Sequence, residues 1–466
     1  MKIIPLIKDF TNNFNKILCK DLNYLNIESK IREVGDNFTL ELYESTINDL
    51  DEKFKHSKER KEKYNIKETR QKTLITSLGV ITVQCTAYVD KETEKRYVYL
   101  RDILDLMPYQ RLTNEAEYRL IKYAMEENMS QAAKHALRNT PVSRSTVSKK
   151  MKNLKGSVKE DIKRCEETPE TLYIEMDEVH ANLQQGGNKI CPCAIVHEGY
   201  KETFVKRKEL KNIRYFASSK LTYEELWEVI YDYVDKRYNI DKIEYLFISG
   251  DGAKGIKNFK NCFPQAVFVL DIFHYSQKHL NYIFKTDSEL KKMADEYLRS
   301  DMIDEFKELV DAQIKMYPEQ EKYMIQHRDY LLNNIDGIKN QKHPEYKCHC
   351  SMEGHVNHGF ARYITSLPFG FSPDGLENKL KLLVCHKNKY ELKIEDYYNL
   401  KYGEDIQQAI NINMKKLTNI KYNQKLTTNT PKPYKNHNTS IPKFDSTEQN
   451  AKLNELTAQR KEIYII

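Results

Sequence analysis

Two spacings of apolar residues alternate along the chain and predict where helices and strands lie. In residues 1–72 the apolar positions recur every three or four residues, as at Ile47 and Leu50, which is typical of helices. In residues 73–100 they recur every second residue on either side of a charged turn, which predicts a small β-hairpin. Helical spacing returns in residues 114–159.

Short apolar strands distinguish the part of the chain that begins near residue 167. Three strands, then a helix, a strand, a helix and a strand predict a mixed sheet flanked by helices. A long, charged, helical stretch without strand signals follows in residues 275–345. The predicted strands are 171–176, 189–197, 213–218, 243–249 and 266–270, and the first helix of this part is 221–238.

The helical block before residue 160 contains a candidate helix-turn-helix. Residues 130–137 are its predicted first helix, Pro141 puts the turn near 139–142, and Ser143 caps the second helix. Small and basic side chains at the start of a second helix are those that reach bases and phosphates in DNA-binding proteins. An ordinary helical hairpin is the alternative. The predicted DNA contacts are Arg144, Ser145, Lys149, Lys150 and Lys152.

The distribution of charge strengthens this interpretation more than the total charge does. The chain has 466 residues and a net charge of +7, which is modest. Residues 130–159 contain eight Lys or Arg and no acid, residues 53–72 contain nine against three acids, and residues 415–443 contain seven lysines and no acid. Clustered positive charge indicates phosphate-binding surfaces, although solvated helix faces have the same appearance.

Cysteine content and hydropathy exclude two classes of protein. An odd number of cysteines, nine, argues for reduced thiols, and the apolar residues 3–7 are too few for a signal peptide. No run is long and apolar enough for a membrane span, so we expect a cytoplasmic, nucleoid-associated protein without a membrane partner. The pairs Cys191/Cys193 and Cys348/Cys350 are spaced more closely than usual zinc ligands, so we expect no zinc.

An aspartate at the end of each of two predicted strands is the feature that carries chemistry. Asp177 follows strand 171–176, and Asp251 follows strand 243–249 between two glycines. Carboxylates from neighbouring strands can share hard divalent cations. Two such ions about 3.5–4 Å apart can activate an attacking oxygen and stabilise the leaving oxygen in phosphoryl transfer. The alternative is that these aspartates only cap turns.

Four motifs in order add a resemblance to a known family. They are YIEMDEVH at 173–180, GDGA at 250–253, DIFHY at 271–275 and MEGHVNH at 352–358. Over about residues 70–390 the chain resembles the ISLre-type insertion-sequence transposases, which are distantly similar to Mutator-like transposases. The resemblance implies an α/β ribonuclease-H-like catalytic domain with an Asp-Asp-Glu triad and a helical insertion before the Glu.

By this resemblance, Asp177, Asp251 and Glu353 are the catalytic ligands of Mg²⁺ or Mn²⁺. The third acid is the least secure, because Gly354 and Gly359 are poor helix formers where the family has a helix. The alternatives for this position are Glu345, Glu377 and Glu391.

Asp271 and His274 resemble the Asp-x-x-His pair that accompanies the Mutator-like triad. They follow a predicted strand and lie in the first turn of a helix. His274 can orient a phosphate or a flipped base, and a purely structural histidine is the alternative.

The sequence therefore predicts a transposase that binds the inverted-repeat ends of an insertion sequence and target DNA, both double-stranded, as a homo-oligomer. It would cleave and rejoin DNA strands. A stand-alone nuclease and a non-catalytic DNA-binding regulator are the alternatives. The expected regions are a helical 1–72, a hairpin region 73–112, a helix-turn-helix 113–165, a catalytic domain 166–400 with an insertion 275–345, and a lysine-rich, partly flexible tail 401–466.

Overall fold

Two units make up the chain, Met1–Met151 and Lys152–Ile466. The structure is a computed structural model, and it describes residues 3–20, 26–137, 140–201, 208–285, 287–365, 370–403 and 464–465. Most of the predicted tail, residues 404–463 and 466, therefore lies outside the described residues.

The first unit combines helices with one antiparallel sheet in the order β1-β2-β3. Its strands are β1 (Tyr64–Ile75), β2 (Val80–Asp90) and β3 (Arg96–Val98). Its helices are α1 (Ile3–Lys20), α2 (Ile27–His56), α3 (Lys58–Lys63), α4 (Tyr99–Ile103), α5 (Asn114–Glu126), α6 (Met129–His135) and α7 (Arg144–Lys152), the last of which ends at the boundary.

Helix α2 covers an edge of β2 that β3 is too short to pair. Side chains on one face of α2 accept hydrogen bonds from backbone N–H groups at alternate residues of β2. Without these acceptors the edge would present unpaired donors. The acceptors Glu44, Asn48 and Asp51 bond Thr82, Gln84 and Thr86 at 2.8, 2.7 and 3.5 Å, respectively.

The prediction for this region needs two corrections. Residues 64–72 were expected to be helical, but β1 begins at Tyr64. Apart from Ile66, its exposed positions carry charged and polar side chains, so apolar alternation is absent from most of the strand. Residues 99 and 100 were expected in a strand, but they begin α4. The predicted hairpin is therefore the second half of a three-stranded sheet.

The second unit contains the predicted mixed sheet. Its strands are β4 (Val158–Lys159), β5 (Thr171–Asn182), β6 (Asn188–His197), β7 (Arg214–Ala217), β8 (Tyr245–Gly250), β9 (Val267–Leu270) and β10 (Tyr464–Ile465). The main sheet has the order β7-β6-β5-β8-β9. Within this sheet β5, β6 and β7 pair antiparallel. On the other side of β5, β8 pairs with it in parallel, and β9 pairs in parallel with β8. The prediction of a mixed sheet is confirmed, with β5 at its centre.

Helices surround this sheet, and five of them form the block predicted at 275–345. The helices are α8 (Tyr223–Arg237), α9 (Lys254–Lys257), α10 (Asn281–Ile283), α11 (Ser288–Arg299), α12 (Ile303–Met316), α13 (Glu321–Asn333), α14 (Ile335–Lys339), α15 (Met352–Val356), α16 (Arg362–Ile364), α17 (Pro373–Lys387) and α18 (Ile394–Tyr402). Two π-helical segments are Phe273–Leu280 and Asn357–Ala361. Four 3₁₀ turns are Ile240–Lys242, Asn258–Asn261, Pro318–Gln320 and Asn340–Lys342. Among the helices of the described ranges, none has the length and apolar character needed to span a membrane.

Alternation along β5 divides the core between the two faces of the sheet. Ile174 and Met176 face α8, where Trp227 is fully buried. Tyr173, on the opposite face, packs with Phe247 and Tyr346. Because β5 is buried on both faces, its polar residues Glu175 and Asp177 need partners or a function there.

We expect Asp51→Ala to loosen β2. The Asp51 side chain is buried and also accepts a hydrogen bond from the Thr86 hydroxyl at 2.6 Å. The Thr86 hydroxyl also lies 3.2 Å from the hydroxyl of Thr69, but alanine leaves the buried N–H of Thr86 without an acceptor. This loss costs about 1–3 kcal/mol, and the Thr86 amide should exchange faster with deuterated water. Asp51→Asn keeps an acceptor, and Glu52→Ala removes an exposed carboxylate from the same helix, so both should exchange like the wild type. Unchanged exchange in Asp51→Ala contradicts this account.

Candidate active site

Three aspartates lie at one level of the sheet, on β5 and just beyond β8 and β9. The parallel pairings end at Glu175 with Ser249 and at Gly250 with Leu270, so the three aspartates follow the last paired residues of adjacent strands. The N–H of Asp271 also donates to the carbonyl oxygen of Gly250 at 2.9 Å. Asp251 and Asp271 follow strand ends as predicted. Asp177 does not, because β5 continues to Asn182 and Asp177 pairs with Cys193 of β6. The predicted strand end at Asp177 is wrong, since the antiparallel neighbour extends β5 past the end of β8.

The surroundings of Asp177 disfavour the ionised form of its carboxyl group. Its Oδ1 atom accepts a hydrogen bond from the backbone N–H of Glu178 at 2.8 Å. Burial, with smaller effects from the charges of Glu353 and Asp251, nevertheless raises the pKa of Asp177 to about 6, against the opposing effects of this hydrogen bond and of His274. Residues distant in the sequence thus act on one carboxyl group, and all of them were predicted site residues.

A tight turn holds Asp251, whose Oδ1 accepts from the N–H of Ala253 at 2.8 Å. Gly252 has a φ of +77°, and a Cβ there would lie 2.3 Å from Oδ1 of Asn334, so the turn requires glycine. The hydroxyl of Tyr330, on α13, donates to the carbonyl oxygen of Asp251. The helical insertion therefore holds the loop that carries the second aspartate.

Glu353 lies in the first turn of α15, and its Oε1 accepts from the side-chain amide of Asn357 at 2.7 Å. Despite Gly354 and Gly359, the segment is helical through α15 and the π-helical turns that follow. The alternatives have other surroundings. Glu377 is buried and accepts from Ser218 and Ser219, Glu345 pairs with Lys347, and Glu391 is exposed.

The buried carboxylate of Glu175, which was not among the predicted site residues, fixes the start of α15. Glu175 accepts from the backbone N–H and the hydroxyl of Ser351 at 2.8 and 3.0 Å, and its other oxygen is 3.0 Å from Nε2 of His197. Ser351 directly precedes α15, so Glu175 positions the helix of Glu353. A signal was available, because Glu175 lies two residues before Asp177 and therefore on the same face of β5.

Asp271 and His274 form a hydrogen-bonded pair, with Nδ1 of His274 3.0 Å from Oδ2 of Asp271. Burial alone lowers the pKa of His274, but the hydrogen bond and charge of Asp271, with the charges of Asp177 and Asp251, raise it above its usual value. Between the two, Ile272 and Phe273 are exposed apolar side chains. The pair therefore presents a histidine biased towards its protonated form beside the carboxylates.

Comparison with known proteins gives the chain a family. Residues 18–398 match UPF0236, an uncharacterised protein family. The chain belongs to UPF0236. Three UPF0236 proteins of Caldanaerobacter subterraneus subsp. tengcongensis are similar: one is 33% identical over 389 residues, 82% of each chain. Another is 32% identical over 395 residues, 83% of this chain and 82% of its own, and its name joins eleven locus designations. The third is 33% identical over 389 residues, which cover 82% of this chain and 81% of its own. Its name joins four locus designations.

The carboxylates of this UPF0236 protein fit a hard cation by their chemistry. Within the described ranges, no three His, Cys, Asp or Glu side chains are close enough together to hold one ion. Asp177, Asp251 and Glu353 nevertheless offer oxygen ligands, which Mg²⁺ and Mn²⁺ prefer. Burial, with the charges of Glu353 and Asp251, raises the pKa of Asp177, and a bound cation would favour the ionised form of this group. Of the cysteine pairs, Cys191 and Cys193 are buried in β6.

The predicted helix-turn-helix of this UPF0236 protein corresponds to α6 and α7, and residues 138–139 between them lie outside the description. The hydroxyl of Ser143 accepts from the N–H of Thr146 at 3.2 Å, as a helix cap does. Lys150 differs from the other predicted DNA contacts, because its ammonium group pairs with the buried carboxylate of Glu117 on α5. The exposed predicted contacts are Arg144, Ser145, Lys149 and Lys152.

Without metal, we expect Asp177→Asn to stabilise the second unit at neutral pH. Folding raises the pKa of Asp177 from 3.8 to about 6, so protonation of this group favours the folded chain below about pH 4, and that contribution is lost as the pH rises through 6. In EDTA at about pH 7.5 the variant should unfold at least ~4 °C higher than the wild type, and the difference should shrink towards about pH 4.5. The fluorescence of Trp227, the one tryptophan of the chain, reports unfolding of the core behind β5.

Asp241→Asn is the control for this comparison, because it removes an exposed aspartate from the same unit. It should leave the unfolding temperature unchanged at both pH values. An Asp177→Asn variant that is no more stable than the wild type at about pH 7.5 would show that the charge of Asp177 is not costly to hold.

Proposed function

We propose that this protein is a DDE transposase of a bacterial insertion sequence, with a ribonuclease-H-like catalytic domain in its second unit. The observation that carries the proposal is that Asp251 and Glu353, from two other segments of the chain, both act electrostatically on Asp177. His274 lies within the same electrostatic group. Such a set of acids suits metal-assisted phosphoryl transfer.

The order of elements supports the same assignment. The sheet has β5 at its centre, with β6 and β7 antiparallel on one side and β8 and β9 parallel on the other. A block of helices, α10–α14, separates Asp251 from Glu353. A mixed sheet with a helical insertion at this place is what the resemblance to ISLre-type transposases implies.

The names of the relatives give independent support. One name joins eleven locus designations of a single genome, and another joins four. A protein encoded at many loci of one genome is what an element that inserts copies of itself would leave. Neither an ordinary metabolic enzyme nor a single regulator accounts for such repetition.

In the proposed reaction, water attacks a phosphorus atom at the transposon end and the bond to the 3′ oxygen breaks. The freed 3′-hydroxyl then attacks a phosphodiester of the target DNA, so one bond forms for each bond broken. Mg²⁺ or Mn²⁺ held by Asp177, Asp251 and Glu353 would activate the attacking oxygen and stabilise the leaving one. His274, biased towards its protonated form by Asp271, can donate a hydrogen bond to a phosphate oxygen.

Three groups of this chain would position that chemistry. Glu175 fixes the helix of Glu353 through Ser351, and Tyr330 holds the carbonyl oxygen of Asp251. Asp271 orients the ring of His274 through its Nδ1 atom. Such supports matter because ligands held loosely lose much of the stabilisation of the transition state.

We expect Asp177→Ala, Asp251→Ala and Glu353→Gln each to lower nicking of DNA from the flanks of the coding region by at least about a hundredfold. Glutamine at position 353 keeps an acceptor for Asn357 and removes only the charge. Glu391→Gln, in an exposed loop, and Glu345→Gln are the matched controls and should retain most activity. Nicking and joined products are measured on gels in Mg²⁺ and in Mn²⁺.

The outcomes separate the proposed function from its rivals. Nicking without joined products indicates a stand-alone nuclease, and specific binding without nicking indicates a regulator. An Asp177→Ala variant that nicks within about tenfold of the wild type contradicts the triad. Ion binding is followed separately, because Mn²⁺ should raise the temperature at which Trp227 fluorescence reports unfolding in the wild type and not in Asp177→Asn.

We expect the triple variant Arg144→Ala, Lys149→Ala, Lys152→Ala to bind the flanking DNA more weakly and with a flatter salt dependence. Each phosphate contact that is lost lowers the slope of log affinity against log salt by about 0.9. Lys150 is left in place because it pairs with Glu117. Lys8→Ala, an exposed lysine of α1, is the control. An unchanged slope in the triple variant would move the phosphate contacts away from α7.

A further inference from the structure

A cavity of about 370 Å³ lies on one face of the three-stranded sheet in the first unit. Its floor is apolar and includes Leu74, Val83 and Ala87 of the sheet, and Leu100 of α4 forms part of its wall. Ligand pockets in proteins begin at about 300 Å³, so the cavity has room for a group of the size of one nucleotide. No residue of the candidate active site lines it.

Four cations and one acid line the same cavity. The cations are Arg70, Lys72, Arg96 and Arg101, and the acid is Glu68. Glu68 pairs with Arg70 at 2.7 Å and with Arg96 at 3.0 Å, so one carboxylate is shared between two of the cations. The lining therefore has an excess of positive charge, which attracts an anionic ligand.

Lys72 and Arg101 are the cations that this acid does not reach. Neither forms an ion pair with a residue in the described part of the chain. Burial lowers the pKa of Lys72, and the charge of Arg101 lowers it further, so the two cations lie close to each other. Burial and the charge of Asp51 raise the pKa of the Cys85 thiol, whereas the charges of three lining cations lower it. Lys72, Arg101 and Arg96 therefore all lie near the sulfur.

An aromatic side chain stands among the lining residues. Tyr109 is 98% exposed, which leaves its ring open to a partner. Cationic grooves with an exposed aromatic ring are typical of surfaces that bind single-stranded nucleic acid, because phosphates meet the cations and bases stack on the ring. The apolar floor suits the face of a base in the same way.

We propose that this cavity is a groove that binds an unpaired DNA strand. The phosphates would lie against Arg70, Lys72, Arg96 and Arg101, and a base would lie against Tyr109 and the apolar floor. A double helix is too wide to enter a cavity of this volume. The lysine-rich segment 415–443 of this chain has the wrong charge to occupy it. An acidic peptide matches the charge, but the Asp and Glu side chains that carry this charge have no ring to lie on the apolar floor and the tyrosine.

The rate at which the Cys85 thiol is alkylated measures occupation of the groove directly in the full-length protein. This thiol is half-buried and free, as are the thiols of Cys165 and Cys262 in the second unit. The protein in EDTA at about pH 8.5 is alkylated with iodoacetamide, with and without a thymidine oligonucleotide of about 12 residues, and each thiol is followed by mass spectrometry. We expect the oligonucleotide to slow alkylation of Cys85 at least about fivefold and to leave Cys165 and Cys262 unchanged.

Variants then test the individual contacts. Lys72→Ala with Arg101→Ala should raise the oligonucleotide concentration needed for half-protection at least about tenfold, and Tyr109→Ala should raise it about threefold or more. The triple variant of Arg144, Lys149 and Lys152 should protect Cys85 like the wild type, because α7 is not part of the groove. Lys8→Ala, an exposed lysine of α1, is the control for the loss of one charge.

Four results would overturn the proposal. They are no protection of Cys85, equal protection by poly-glutamate, equal protection by a DNA duplex of the same length, and equal half-protection in the variant lacking Lys72 and Arg101. The proposal for the groove and the proposal for the catalytic carboxylates can be contradicted independently. Protection of Cys85 in a protein that does not nick DNA supports the groove and contradicts the transposase, and nicking without protection does the reverse.

Discussion

The negative charge that the second unit holds at Asp177 is the constraint on which much of its structure depends. Burial and the neighbouring carboxylates of Glu353 and Asp251 all disfavour the ionised form of this group. A folded chain tolerates such a cluster only where surrounding contacts hold each acid in place. The cost is of the kind that active sites incur, because groups arranged for a reaction are not arranged for stability.

Each acid is held by a different kind of contact. Asp177 lies within β5, where pairing with β6 on one side fixes the backbone. Asp251 depends on a turn with positive φ and on a hydrogen bond from Tyr330. Glu353 depends on Ser351, which the buried carboxylate of Glu175 anchors. The helical insertion and α15 thus meet the sheet through polar contacts, and the positive charge of a protonated His274 favours the ionised form of Asp177.

The two units differ in the charge that they concentrate. The second unit gathers carboxylates at the end of its parallel strands, where a cation and a phosphate can be brought together. The first unit gathers cations, on α7 and around the cavity of its sheet. Long-range attraction between cations and phosphates supplies affinity, and hard cations at carboxylates supply reactivity. A protein that cuts DNA, as we propose for this one, needs both.

The sequence by itself determined, for the second unit, the order of the elements around the main sheet, the mixed character of that sheet, the helical block and the positions of Asp251 and Asp271. These depend on local periodicity and on apolar runs that end in an acid. Only the tertiary structure decided that β1 is a strand, because its exposed positions carry charge and the partner that stabilises it is β2. Only the tertiary structure joined Glu175 to Ser351 and Lys150 to Glu117. Those pairs are separated by many residues, and no spacing along a chain records which distant side chains will meet when it folds.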